Sequence, residues 1–277
     1  MGIRCKERLN YKSQDEFHTI DKIVTGYAFD IHNRLGRFCD EKIYQEIMAE
    51  KCRSASIKAE REVEIILTYK DFMKSYKLDL LVDNGIIYEL KTAAALNDSH
   101  KQQLINYLLL TGIKHGKLIN FRPASVEYSF VSTTLTNEDR YDFSIDTTDF
   151  KEATKKCKKL ESILTALLKE WGAFLDCRLF NEALIHFLGG SKNIVCPVKI
   201  YFDKQIVGQQ KMHLLDNATA FHLSGITRAF KGYEKNIISL IKHTNIKIVQ
   251  WVNFNQRDIS IKTIKNDSVT NDSVTKK

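Results

Sequence analysis

The stretch Lys77–Thr92, KLDLLVDNGIIYELKT, decides how this chain reads. Leu, Ile and Val fill it as they fill a buried β-ribbon, yet Asp79, Glu89 and Lys91 sit inside the apolar runs. An unpaired charge in an apolar interior is costly, so the three need a common explanation. Asp83-Asn84-Gly85 is a strong turn signal between two strands. A three-residue loop, built as a type I turn closed by Gly85 in the left-handed region, sets Val82 against Ile86, Leu81 against Ile87 and Asp79 against Glu89. Cross-strand partners share a face of the sheet, and Lys91, two residues beyond Glu89, shares that face. A two-residue Asn-Gly loop would put the two acids on opposite faces. The bulged loop therefore predicts one patch of Asp79, Glu89 and Lys91. Adjacent carboxylates repel unless something cationic lies between them. Lys91 helps, but a divalent ion held by hard oxygen ligands, Mg2+ or Mn2+, is the stronger solution. A buried salt bridge without metal is the bland alternative.

Around the ribbon, Val24, Tyr27, Ala28, Ile31 and Leu35 recur at helical spacing, with Asp21 as a candidate cap and Gly36 as the stop. A second helix carries Tyr44, Ile47 and Met48 on one face. Glu62–Tyr69 reads as a strand, and a turn at Lys70-Asp71 leads into the ribbon. Asn97–Leu110 is helical, capped by Asn97 or Asp98; Lys117–Phe121 is a buried strand, and Val126, Tyr128 and Phe130 alternate like another. The order α-β-β-β-α-β-β predicts an α/β fold, a mixed sheet flanked by helices.

An Asp on one strand followed by Glu-x-Lys on the next resembles the PD-(D/E)XK nuclease superfamily, whose restriction-endonuclease-like core has a similar element order. The first half is more specifically similar to the GxxExxY family of that superfamily. The resemblance runs from Ile20 to Phe121 and rests on HNRLG, EKIY, the ribbon, QLINYLLLTG and KLINF. It implies that Asp79 and Glu89 are metal ligands, that Lys91 is the catalytic lysine, and that Glu41 binds the metal directly or through water. It implies that Gln103 and Tyr107, which share a helix face at i and i+4, touch substrate phosphate or support Lys91. Tyr44 matches the motif Tyr, and His32 is similar to a histidine that ligates metal in some relatives. The motif's first Gly falls on Phe38, a departure that bears on the turn aiming Glu41.

The second half reads as a degenerate copy. GRFCDEKIYQE from Gly36 lies on GAFLDCRLFNE from Gly172, LLVDNGIIYELK on HLLDNATAFHLS, and KLINF on QWVNF. In this register Asp79, Glu89 and Lys91 correspond to Met212, His222 and Ser224. Glu41 corresponds to Cys177, and Gln103 and Tyr107 to Asn236 and Leu240. Met, His and Ser do not make a magnesium site. The expected organisation is a nuclease-like domain at 13–136, a linker at 137–150, an inactive basic repeat at 151–265 and a disordered tail at 266–277.

Bulk properties set the context. With 277 residues, 43% hydrophobic and 27% charged, the chain reads as a soluble globular protein. No apolar run suits a bilayer, the N-terminal stretch lacks a signal-peptide pattern, and Lys6 breaks the myristoylation pattern. Six cysteines without a CxxC pair argue against a zinc ribbon and fit a reducing, intracellular compartment, cytoplasmic or nucleoid/nuclear. Residues 1–145 hold 21 basic and 21 acidic residues; 146–277 hold 21 and 13, so the whole net +8 lies in the second half. That asymmetry points to an anionic partner, nucleic acid first. Related nucleases often act as dimers, which adds a homo-oligomer, or a second half mimicking the partner subunit, to the expectations. The reading is a Mg2+- or Mn2+-dependent nuclease, with DNA favoured over RNA. The alternatives are a non-catalytic nucleic-acid-binding protein on a nuclease scaffold and a protein–protein adaptor.

Overall fold

The computed structural model describes residues 2–270, with side chains through 268. The chain divides into two compact units, Met1–Asn137 and Glu138–Lys277. Among the described residues no helix is long and apolar enough to cross a membrane, and all six cysteines are free.

The first unit contains β1 (Ile3–Cys5), α1 (Gln14–Leu35), α2 (Glu41–Ser54), β2 (Ala59–Tyr69), β3 (Phe72–Val82), β4 (Ile86–Lys91), α3 (Asp98–Thr111), β5 (His115–Asn120) and β6 (Glu127–Ser132). Its strands form one sheet in chain order. All neighbours are antiparallel except β4 and β5. Parallel neighbours need a crossover, and α3 supplies it. Leu80, Val82, Ile86, Tyr88 and Leu90 join α1 and α2 in one core. Alternation along the strands turns Asp79, Glu89 and Lys91 to the opposite face.

Three details depart from the sequence reading. The first helix starts at Gln14, where Ser13 and Glu16 form a capping box. Asp21 is therefore no cap: it is buried inside α1, with Oδ2 2.6 Å from Lys117 Nζ. Its Oδ1 accepts from Tyr88 Oη and Thr25 Oγ1. The hairpin register is the expected one, Val82 to Ile86 and Leu81 to Ile87, but its turn differs. Asp83 (φ 46°) and Asn84 (φ 55°) take the left-handed conformation, and Gly85 N donates to Val82 O at 3.0 Å. Gly85 is required for space instead: a Cβ there would collide with the Asn10 carbonyl oxygen and lie 2.8 Å from Lys12 Cγ. The N-terminal β1 pairs with β2, a short strand with too few residues to show alternation.

The second unit contains β7 (Ser144–Asp146), α4 (Lys155–Trp171), α5 (Cys177–Leu188), α6 (Ser191–Ile194), β8 (Val195–Phe202), β9 (Gln205–Leu214), β10 (Thr219–Ser224), α7 (Phe230–Lys242), β11 (Ile248–Asn255), β12 (Asp258–Lys265) and α8 (Asp267–Thr270). Its sheet order is β7-β12-β11-β10-β9-β8. From β8 to β12 the pairing senses repeat those from β2 to β6, with β10 and β11 parallel. Residues 137–150, expected as a linker, carry β7, which pairs parallel with β12. An edge strand this short and polar has no hydrophobic periodicity to reveal it. Of the expected disordered tail, Asn266 is buried and donates through Nδ2 to Ile241 O and Ile246 O. Residues 271–277 lie outside the described residues.

Removing one partner of a buried ion pair strands the other. Lys117→Met is expected to cost about 3–5 kcal/mol in urea unfolding, and Asp21→Asn combined with Lys117→Met to cost clearly less than that. Equal losses in the single and double variants would show that the pair is not what holds α1 to β5.

Candidate active site

The site forms where strand β3 loses its neighbours. Pairing with β4 runs from Val82–Ile86 to Leu80–Tyr88 and stops. Beyond it, Leu90 N donates to Asp79 Oδ2 at 2.8 Å, so a carboxylate takes an amide that a longer ladder would have used. On the other side, pairing with β2 is interrupted between Arg61–Leu80 and Val63–Leu78. The skipped residue, Glu62, has φ 52°, a strained conformation for a side chain of this kind. The splay fixes Asp79 through the backbone of β4.

Continuing the register sets Glu89 opposite Asp79 on the same face. Glu89 is fully buried. Its Oε1 lies 2.5 Å from Lys91 Nζ, which is 3.9 Å from Asp79 Oδ2. Glu89 Oε2 is buried with no hydrogen-bond partner among the described residues. Burial, then the Asp79 charge, pushes the Glu89 carboxyl up to about 8. Burial raises Asp79 to about 6, against the lowering effects of Lys91 and the Leu90 amide. Burial pulls Lys91 down, but Glu89 and Asp79 outweigh it, so the lysine lies above its ordinary value and remains an ammonium. The two acids titrate as a pair.

Glu41 opens α2. It makes no hydrogen bond or ion pair among the described residues, yet its charge raises all three members of the cluster. Tyr44 does more than pack. Its hydroxyl donates to Gly36 O at 2.8 Å and accepts from Cys39 N at 3.2 Å, while its ring stacks on Phe121 at 4.2 Å. It thus ties down the loop that delivers Glu41. Phe38 in that loop is exposed, with the Arg37 and Arg122 guanidinium carbons 5.2 and 5.9 Å from its ring centre.

On α3, Gln103 Nε2 donates to Tyr107 Oη at 2.9 Å. Burial, then the Glu89 charge, pushes the Tyr107 phenol up to about 12. The Glu89 charge thus reaches the Tyr107 phenol. His32 stands differently: its Nε2 is 3.0 Å from Pro123 O, so one ring nitrogen is committed to a carbonyl. Among the described residues no three His, Cys, Asp or Glu side chains converge as a metal site. Lys91 stands against both carboxylates, at 2.5 Å from Glu89 Oε1 and 3.9 Å from Asp79 Oδ2.

Sequence reasoning missed Glu62, Arg122 and Asn120. Arg122 donates through Nε to Thr92 O, next to Lys91. Asn120 clamps Ala93 reciprocally, accepting from its N–H and donating to its carbonyl. None carries a spacing signal: Arg122 and Asn120 act on the backbone of a loop distant in sequence, and Glu62 enters through its own left-handed backbone.

In the second unit, β9 and β10 pair at Leu214–Ala220 and His213–Phe221, which continues to Met212 opposite His222. Ser224 donates to Asn253 Oδ1 at 2.7 Å and accepts from Trp251 Nε1 at 2.8 Å. No carboxylate stands at these positions.

Residues 18–131 match the family model of the PD-(D/E)XK nuclease superfamily. No curated protein and no solved structure matches the chain.

Both acids are raised in the folded state, so the fold binds more protons than the unfolded chain between the ordinary carboxylate values and about pH 8. Their contribution is fully present below that window and is lost as pH rises through about 6 and about 8. In EDTA, the urea midpoint should fall across this range, and Glu89→Gln should flatten its upper part. A wild-type midpoint that stays level or rises from pH 5 to about 8 would contradict this site electrostatics.

Proposed function

We propose that the first unit is a divalent-metal-dependent nuclease that hydrolyses phosphodiester bonds, in DNA by preference. The observation that supports this most is the buried pair Asp79 and Glu89, facing each other across the splayed ribbon with Glu89 Oε2 unpartnered. A buried oxygen without a partner costs free energy unless a ligand uses it. Burial raises both acids, and the charge of Asp79 raises Glu89 further; a Mg2+ or Mn2+ ion would offset both effects. Asp79 and Glu89 would hold the ion, with Glu41 joining directly or through water; the second ring nitrogen of His32, whose Nε2 is on the Pro123 carbonyl, is a further candidate ligand.

When bound, the ion supplies polarisation of the phosphoryl oxygen and a more acidic water. The chain's own residues do the rest. Lys91 keeps its proton beside Glu89, which suits it to stabilise negative charge on the phosphate as the attacking oxygen adds, and not to act as a base. Gln103 and Tyr107 hold one another on α3 and position the phosphate. Tyr44 keeps the loop before Glu41 in place.

For the second unit we infer an ancient duplication that kept the frame and lost the acids. Asn253 clamps Ile226 in the same reciprocal way that Asn120 clamps Ala93. Thr244 caps the end of α7 as Thr111 caps α3, each hydroxyl donating back to a helix carbonyl and accepting an amide two residues on. Its basic surface would hold nucleic acid phosphate. A scaffold that only binds nucleic acid is the second reading, favoured by the loss of the acids in this unit.

Lys91→Ala and Glu89→Ala are each expected to lower Mn2+-dependent cleavage of single- and double-stranded DNA by at least about a hundredfold with an unchanged circular dichroism spectrum. EDTA should abolish wild-type cleavage. Full metal-dependent activity in both variants would refute the residue assignment, and tight, salt-sensitive binding without cleavage under any metal would favour the second reading.

A further inference from the structure

A pocket of about 390 Å3 lies in the second unit between β9, β10 and α7. Four lining residues, Met212, His222, Asn236 and Leu240, occupy the positions that hold Asp79, Glu89, Gln103 and Tyr107 in the first unit. The chemistry of the lining has changed in kind. Its floor is apolar, built by Ile237, Ile241 and Val249. One wall is aromatic: the His222 and Tyr233 rings stack at 5.8 Å and share a 2.7 Å hydrogen bond. Tyr233 stacks in turn on Trp251 at 5.6 Å. A second ring pair, His213 on Phe221, borders the same space. Burial lowers His213 and His222 below the ordinary imidazole value, so both are neutral at pH 7.

At the rim, Gln210 Nε2 donates to Lys211 O at 3.3 Å. Among the described residues, the Lys211 ammonium and the Asn236 amide make no side-chain hydrogen bond or ion pair, and no Asp or Glu lines the pocket. An apolar floor, stacked rings, a free amide and a free ammonium match a flat ring with a polar edge and an anionic group attached. The volume lies in the range of small-ligand sites, about 300–1,000 Å3. Stacking on aromatic faces with hydrogen bonds to the base edge is how unpaired bases are held.

We propose that this pocket binds one nucleotide, with its base on the His222–Tyr233 wall, its edge at Asn236 and its phosphate at Lys211. The nucleotide comes either free or as one unit of a single strand. This reading does not depend on cleavage by the first unit.

The test is calorimetric titration of the full chain in EDTA, where metal-dependent cleavage is silent. The probes are the four ribonucleoside 5′-monophosphates and short single-stranded DNA and RNA oligomers. Saturable binding of a monophosphate with Kd below about 1 mM identifies the free source; saturation by oligomers alone identifies the strand. In either case Lys211→Glu should weaken binding at least about tenfold, and Leu240→Trp, which fills the pocket mouth, should abolish it. Lys204→Glu, an exposed charge outside the pocket, controls for long-range electrostatics and should change affinity less than about twofold. Circular dichroism confirms that each variant is folded. No saturable binding of either probe overturns the proposal. So does equal affinity in the wild type, Lys211→Glu and Leu240→Trp, or an equal loss in Lys204→Glu and Lys211→Glu.

Discussion

The first unit depends on one hydrogen bond, the Leu90 amide given to Asp79 Oδ2. An antiparallel ladder would normally spend that amide on a carbonyl of the facing strand. Here the ladder stops at Leu80–Tyr88, and a side chain bridges the gap. The bridge stands where the ladder pairing has ended, with Glu89 on the same face as Asp79. It also ties the position of the acid to the backbone of the strand that carries Glu89 and Lys91. The left-handed Glu62 on the other side is the local strain that accompanies this opening.

Charge is buried in the first unit in two contrasting ways. On the α1 side, Asp21 and Lys117 form a closed set. The carboxylate receives Lys117, Thr25 and Tyr88, and the ammonium also reaches Thr25 and faces the Tyr128 ring at 4.2 Å. On the α3 side, two acids share one lysine and a buried oxygen has no partner. A fully satisfied polar network rigidifies a core, whereas an incomplete one is where a ligand gains most. The closed set reads as architecture and the open set as a site.

The second unit repeats the frame with other chemistry. At the positions that align in sequence with Asp21 and Lys117 stand Cys157 and Gln250, whose amide lies 3.4 Å from the thiol sulfur. A neutral contact stands there in place of an ion pair. Opposite the acids of the splay stand Met212 and His222 in the sequence alignment, and they border a space lined by rings and apolar groups. What is common to the two units is the backbone clamps at Asn120 and Asn253 and the helix stops at Thr111 and Thr244. A frame is set by such local bonds and by apolar alternation, and the side chains at its centre are free to change function.

By itself, the sequence determined the ribbon, its register and the shared face of Asp79, Glu89 and Lys91, because alternation and loop length are local and leave only discrete choices. It determined as well the paired helix-and-strand order of the two halves, which apolar spacing preserves. Only the tertiary structure decided how Gly85 is used, since the crowding Asn10 is distant in sequence. It alone turned Asp21 from a cap into half of a buried pair, because Lys117 meets it only when β5 lies under α1. It set His32 against the Pro123 carbonyl, gave Tyr44 its hold on the Glu41 loop, and drew residues 144–146 into a sheet. Those outcomes rest on contacts between segments far apart in the chain, and periodicity carries no record of which distant segment will arrive.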